Sequence, residues 1–304
     1  MENTALNSLS TYGKTFRFAS LLLSRNQVEQ SARLYYFCRC VDDIADDTDD
    51  KHLARQRLDK VQDQLMIGRS SEAFVEDFLK LSHQLDIPVA YASTLVKGVK
   101  GDLGAVRVQS KTELIQYAYK VAGVVGQMMC PILKADKKGM PYAIDLGIAL
   151  QLTNIARDVL EDAKMGRRYL PYQWCPFSPN EIVASKHDSV RRQVSAAIEK
   201  VLQLADQYYR SARQGYCFLP QQSRRAIIVA ESVYRQIGVK LRQGGLNYWQ
   251  GRTEVTLLSK VKVAVSALSS ISFDSPCHHD FNLHQPLVLL TDYETCKSKF
   301  DGND

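Results

Sequence analysis

Eight residues in two short stretches have types and spacing that could do chemistry. Tyr35, Arg39, Asp42 and Asp46 are separated by four, three and four positions, and Gln151, Asn154, Asp158 and Asp162 by three, four and four. On an α-helix each set falls along one face over about three turns. Each set ends in two aspartates at i,i+4, whose carboxylates lie roughly 6 Å apart and repel unless a cation neutralises them. Mg²⁺ suits such a pair, because it keeps several waters and is held by one or two carboxylates together with substrate phosphates. Two such pairs on facing helices would grip metal ions from both sides of a diphosphate.

A single D-x-x-x-D is usually only a solvated helix face. Here two pairs coincide, each preceded on its own face by a cationic or hydrogen-bonding side chain. The second stripe is flanked by Ile148, Leu150, Leu152, Ile155 and Val159. Apolar neighbours around so much of the cylinder fit a polar cavity inside a bundle better than a solvent face. The same stripe leads into Lys164, Arg167 and Arg168. Asp43 and Asp47 form a further i,i+4 pair in another phase and read as supporting at most. Asp49 and Asp50 read as cap or surface charges before the next helix.

The elements that must position these residues are helices. The nine prolines are sparse and none precedes Pro88. Periodicity near 3.6 predicts helices over about 15–46, 52–66, 72–84, 88–101, 111–133, 140–163, 180–214, 220–249 and 254–269. Pro88 and Gly139-Met140-Pro141 open helices, and Tyr169 to Pro179 is a loop. No alternating β-branched run is bounded by hairpin signals, so no sheet is expected. The tail from about Ser272 has no clear period. A single helical domain over 1–271 and a tail over 272–304 are expected.

Composition narrows the function. The chain has 304 residues, 45% hydrophobic and 24% charged, with a formal net charge of +6. That is globular, with enough length for one large core. From Lys164 to Lys260 there are 16 basic and 6 acidic residues, whereas Asp42 to Asp50 holds six aspartates and no base. A basic half facing an acidic cluster suggests anions and metal ions meeting in one place, and argues against nucleic acid. Seven cysteines without a C-x-x-C pair read as reduced thiols of a cytoplasmic protein. Met1–Ser10 is polar and unlike a signal peptide, and Val121–Leu133 is too short to span a bilayer. Cys277-His278-His279 with His284 matches no standard zinc spacing and reads as a loose tail cluster. Gly244-Gly245 reads as a helix break, since no G-x-G-x-x-G follows a strand.

Longer motifs carry a family resemblance. Tyr35-Tyr-Phe-Cys-Arg-Cys-Val-Asp-Asp-Ile-Ala-Asp-Asp47, and Gln151-Leu-Thr-Asn-Ile-Ala-Arg-Asp-Val-Leu-Glu-Asp162 followed by Gly166-Arg-Arg-Tyr-Leu-Pro171, closely resemble the two aspartate-rich signatures of the squalene/phytoene synthases. Tyr117 to Gly126, Val233 to Lys240 and Lys14 to Ser20 are further matches. The resemblance runs from about residue 12 to 268, and within the family it is most like the bacterial phytoene synthases.

The resemblance implies an all-α, single-domain bundle of the isoprenoid-synthase type around a central cavity. It implies Mg²⁺-dependent head-to-head condensation of two allylic prenyl diphosphates, with Mn²⁺ as a substitute. On this pattern Asp42, Asp46, Asp158 and Asp162, with Asn154 beside them, are the metal ligands. Lys14, Arg39, Arg157 and, across a one-residue gap, Arg252 match diphosphate contacts. Phe16, Tyr35, Tyr117, Gln151, Tyr169 and Tyr234 match the cavity wall, Tyr117 counting also among the catalytic groups. Gly101-Asp102 departs from the pattern at the glycine, where the family more often has Met. The expected substrates are two geranylgeranyl diphosphates and the product phytoene, formed through a cyclopropylcarbinyl diphosphate. The alternatives are a C15-using synthase of dehydrosqualene, presqualene diphosphate or squalene, and a non-catalytic assembly factor. NADPH is not expected. Prenyl substrates and the basic segment lead to an expectation of peripheral, reversible association with anionic membranes.

Overall fold

The computed structural model of the chain describes residues 19–48, 50–269, 278–290 and Tyr293. Lys14 and Phe16 lie outside the described residues, as do Asp49, Cys277 and Cys296. The described residues form helices: α1 Arg25–Asp46, α2 Lys51–Ile67, α3 Ala73–Gln84, α4 Val89–Gly101, α5 Lys111–Ala118, α6 Val124–Leu133, α7 Met140–Arg157, α8 Val159–Lys164, α9 Pro179–Ala184, α10 Asp188–Gln214, α11 Gln221–Gln243 and α12 Leu257–Ser269. Among them the only β pairing is an isolated parallel bridge between Arg107 and Arg168.

Local chemistry sets many of these boundaries. Ser24 and Gln27 form a capping box at α1, and Ser178 with Glu181 does the same at α9. Asp50 caps α2 through the backbone N–H groups of His52 and Leu53, as its position suggested. Several helices expected to be continuous are interrupted. The 15–46 segment breaks at Leu21–Ser24, where the capping box restarts it. The 111–133 segment passes through a π-helical turn at Tyr119–Gly123. The 140–163 helix is interrupted at Asp158, and 180–214 at Ser185–His187. The 220–249 helix stops at Gln243, followed by a 3₁₀ turn at Tyr248–Gln250. Periodicity carries through a one-residue break because the apolar face resumes almost in phase.

Helix α7 is the centre of the bundle. It packs on α6, the π-helical turn, α10 and α11. Its buried residues, from Tyr142 through Ile148, Leu152 and Ile155 to Ala156, cover most of its circumference. Gly126 and Gly147 allow the close approach of α6 and α7, since a Cβ at either would collide with a backbone carbonyl, of Ala143 or Ala122. One contiguous hydrophobic core joins α1 through α11 and extends to Leu287 and Tyr293.

Several side chains near the middle of the bundle are only partly buried. Cys38 on α1, Val121, Val125 and Met129 on the π-helical turn and α6, Leu146 and Leu150 on α7, and Tyr234 on α11 pack against the core yet keep accessible surface, and Tyr35 on α1 packs beside Ala32. Burial nevertheless pushes the Cys38 thiol well above its ordinary range and raises Tyr234.

The described part of the tail, residues 278–290 and Tyr293, carries structure that the sequence left unassigned. Phe281–Leu287 forms a 3₁₀ helix, and His284, Leu287 and Tyr293 are buried against the bundle. The five described cysteines, Cys38, Cys40, Cys130, Cys175 and Cys217, are unpaired thiols.

Candidate active site

The two acidic stripes sit on α1 and on α7–α8, and they reach a common centre that neither stripe contains. That centre is Asp102, the C-cap residue of α4. Its carboxylate accepts hydrogen bonds from the Tyr117 hydroxyl on Oδ2 and the Tyr169 hydroxyl on Oδ1, each 2.9 Å long. The two rings stack with centroids 4.7 Å apart. Burial raises the Asp102 carboxyl to about 6 despite these two donors. Its charge acts in turn on Asp42 and on Asp162, so the two stripes share one electrostatic site.

Within that site the carboxylates are crowded. Burial, and next the charge of Asp46, raise Asp42 to about 7. Burial, and next the charge of Asp158, raise Asp162 to about 8. Carboxylates held this far from their usual range need cations to be ionised together. The Asn154 Oδ1, on the second stripe, is buried without a hydrogen-bond partner, a ready oxygen ligand one turn from Asp158. Hard oxygen donors with an orphaned acceptor among them fit a divalent cation such as Mg²⁺.

Arginines supply part of the positive charge. Arg167 Nη1 donates to Asp46 Oδ1 at 2.9 Å, joining the end of α1 to the turn after α8. Gly166 makes that turn in the left-handed region at φ 75°, and the Arg167 N–H closes onto the Asp162 carbonyl at 2.8 Å. Arg157 grips Asp158 bidentately at 2.7 and 2.5 Å. Arg252 reaches the same carboxylate, Nε to Oδ1 at 3.0 Å. Gly251, with φ 95°, turns the chain after the 3₁₀ turn so that this is possible. Arg39 pairs with Asp43 at 2.5 Å, so Asp43 serves to hold this cation.

Asp42, Asp46, Asn154, Asp158, Asp162, Arg157, Arg252, Tyr117 and Tyr169 meet at this centre or its rim. Asp158 and Asp162 are not on one continuous helix, because Asp158 sits at the junction with φ −101°. The helical hydrogen bonds from Asp158 N–H to Asn154 and from Asp162 N–H to Asp158 persist across it, so the facing is kept. Tyr35 lies among Arg39, Asp42 and Tyr234, and burial raises its phenol to about 12. Tyr234 lies near Arg157, Asp158 and Arg252. Gln151 accepts from Asn154 at 3.4 Å. Two residues were not assigned roles from the sequence. The pattern around Asp102 drew notice only for its preceding glycine, and Arg167 only as part of a basic run.

The segment that delivers Tyr169 is fastened separately. Arg168 is buried and donates to the carbonyls of Cys175 and Val108, while its own N–H and carbonyl pair with Val106 and Val108. This short ladder holds Tyr169 beside Asp102.

Residues 9–259 match the Squalene/phytoene synthase family. The chain belongs to that family. Relatives include the 15-cis-phytoene synthase of Enterobacter agglomerans, 36% identical over 84% of this chain and 90% of that protein. The 15-cis-phytoene synthase of Pantoea ananas is 32% identical over 87% of this chain and 90% of that protein. Among solved structures, a dehydrosqualene synthase superposes with a TM-score of 0.78 at 22% identity, covering 88% of this chain and 95% of that one. That likeness is one of fold, and it is the squalene/phytoene synthase bundle seen here.

Proposed function

We propose that this chain is a prenyltransferase that condenses two geranylgeranyl diphosphates head to head into phytoene. The observation that carries the reading is the meeting of two carboxylate pairs and an orphaned Asn154 oxygen around Asp102, beside a wall of tyrosines. The phytoene synthase relatives support the choice of substrate.

Asp42, Asp46, Asp158, Asp162 and Asn154 would hold divalent cations, which neutralise charge on a departing diphosphate. Arg39, Arg157, Arg167 and Arg252 orient the diphosphate oxygens and balance the carboxylates. In the first half-reaction the C1–O bond of one substrate breaks and its electron pair leaves with diphosphate. The double bond of the second substrate attacks that carbon, and loss of a proton closes the cyclopropane. A second ionisation expels the other diphosphate, and rearrangement with loss of a proton gives the triene. No hydride enters, so the reaction needs no NADPH.

The ring faces of Tyr35, Tyr117, Tyr169 and Tyr234 can stabilise the allylic and cyclopropylcarbinyl cations. The desolvated middle of the bundle keeps water from them. Hydrogen bonds to Asp102 fix Tyr117 and Tyr169, so both rings are set before substrate arrives.

The lipid nature of substrate and product supports peripheral membrane contact. No helix among the described residues is long and apolar enough to cross a membrane. Helix α12 exposes Leu257, Leu258, Val261 and Val265, carries Lys260 and Lys262, and has no acidic residue. That combination suits an anionic lipid surface. Incubation with C15 and C20 diphosphates and Mg²⁺, with mass analysis of the hydrocarbon, tests the function. A C40 triene from the C20 substrate is expected. A C30 product alone would reassign the chain length, and no product would leave a non-catalytic family member.

A further inference from the structure

We propose that Asp145, His279 and His284 form a second metal site, for a zinc-class divalent ion, that clips the C-terminal segment to α7. The two histidines belong to the tail cluster whose own spacing matched no standard zinc site, and the further ligand, Asp145, lies outside that cluster. The structure supplies it from 134 and 139 residues away.

The donor atoms lie within 4.8 Å of one another. The side chains are 0% exposed for Asp145, 4% for His279 and 2% for His284. Each histidine Nε2 stands 2.8 Å from its own carboxylate oxygen. Zinc bonds of about 2.0–2.1 Å place the ligands of a tetrahedral ion roughly 3.3 Å apart, so small ring rotations would close the site. Ser211 donates to Asp145 Oδ2 at 2.6 Å and stands where a fourth ligand, its own oxygen or a water, would be needed.

Two features favour an ion over hydrogen bonds alone. Among the described residues the ionic partners of Asp145 are these two histidines, with no lysine or arginine, so its buried charge lacks a fixed cation. Nδ1 of His284 lies 2.6 Å from the Tyr293 hydroxyl, the kind of outer partner that metal-bound imidazoles keep. Two imidazoles and one carboxylate select zinc-like ions over Mg²⁺.

The clip is separate from the acidic centre but built on the same helix. Tyr208 and Gln116 donate to the carbonyls of Leu283 and Pro286 at 2.7 and 2.8 Å, seating the segment against α10 and α5. Closing it would hold the N-terminal half of α7, whose C-terminal half carries Gln151 and Asn154.

The test uses the full chain made without a polyhistidine tag, stripped by chelating resin and titrated with Zn²⁺ and with Co²⁺. Excess Mg²⁺ is present throughout to occupy the acidic centre. About one ion per chain is expected, with visible Co²⁺ bands of a four-coordinate N/O site and a higher Tm with Zn²⁺. Tyr293→Phe should weaken binding by about 10-fold, within the range for loss of an outer partner. His279→Ala and His284→Ala should each weaken it by more than 100-fold, while His278→Ala, at an exposed neighbour, leaves it unchanged. Absence of stoichiometric Zn²⁺ and Co²⁺ binding by the unaltered chain, with no shift in Tm, would reduce the cluster to a hydrogen-bonded clasp and overturn the proposal. So would a bound ion that survives both histidine substitutions.

Discussion

The two acidic stripes have the same spacing and reach different electrostatic states. On α1, among the described residues, Arg39 acts on Asp42 through its charge while pairing with Asp43, and the exposed Asp46 is tied to Arg167 across the site. At the α7–α8 junction, Asp158 is held by Arg157 and Arg252 together, and burial and the Asp158 charge raise Asp162. One stripe is open at its centre, and the other is partly neutralised before any ligand arrives. Identical sequence spacing therefore does not mean identical charge. The long-range arginines decide which carboxylate waits for a cation and which is already paired.

That contrast can be broken outright by removing the cations. Excess chelator should abolish condensation, and Mg²⁺ should restore it, with Mn²⁺ a partial substitute. Undiminished turnover in chelator would show both stripes to be structural. The next largest effect is truncation. Asp42→Ala and Asp158→Ala should each cost at least ~10²-fold in rate, as loss of a preorganised electrostatic group does. A folded Asp158→Ala enzyme with normal turnover would mean that Asp158 serves only to anchor Arg157.

A finer cut asks whether the stripes work as one cluster. Asp42→Glu and Asp158→Glu each displace a carboxylate by about 1 Å, a misplacement that can cost ~10²-fold. If the cations are shared, both variants slow both ionisations and the cyclopropyl intermediate builds up only modestly. Stoichiometric intermediate in one variant and none in the other, by quenched-reaction analysis, would assign each stripe to its own substrate.

Smaller effects should separate the arginines. Arg252 is 52% exposed, so its pair with Asp158 contributes little to stability. Arg252→Ala should leave the Tm nearly unchanged and raise KM for the diphosphate by roughly 10-fold, as expected for a lost charged contact. A fall in kcat without a change in KM would instead make it a group that acts in the transition state.

The smallest effect concerns the hub. The Asp102 carboxyl titrates near about 6 in the fold, above its unfolded value of about 3.9, so the native state holds the extra proton between those limits. Its contribution therefore falls as pH rises from about 4 to about 6. Asp102→Asn should flatten the Tm profile over that window and lower activity several-fold by loosening Tyr117 or Tyr169, about the cost of one hydrogen bond. An unchanged profile would place the titration elsewhere.

The sequence by itself determined the helical class, the two stripes and the family. Those properties are local: periodicity places Asp42 over Asp46, and Asn154 near Asp158, without reference to the rest of the chain. Even Asp50 as a cap was legible, because a cap needs only its own next residues. Only the tertiary structure decided what the stripes face. Asp102 reaches Tyr117 and Tyr169 across 15 and 67 positions, Arg167 reaches Asp46 across 121, and the tail histidines reach Asp145 across 134 and 139. The break at Asp158 was hidden because the flanking helical hydrogen bonds keep the apolar face in phase. The tail had no period to read, since its short 3₁₀ helix is held by buried polar contacts to α7 and α10. Such contacts depend on how helices cross, which the spacing of residues along a single helix does not encode.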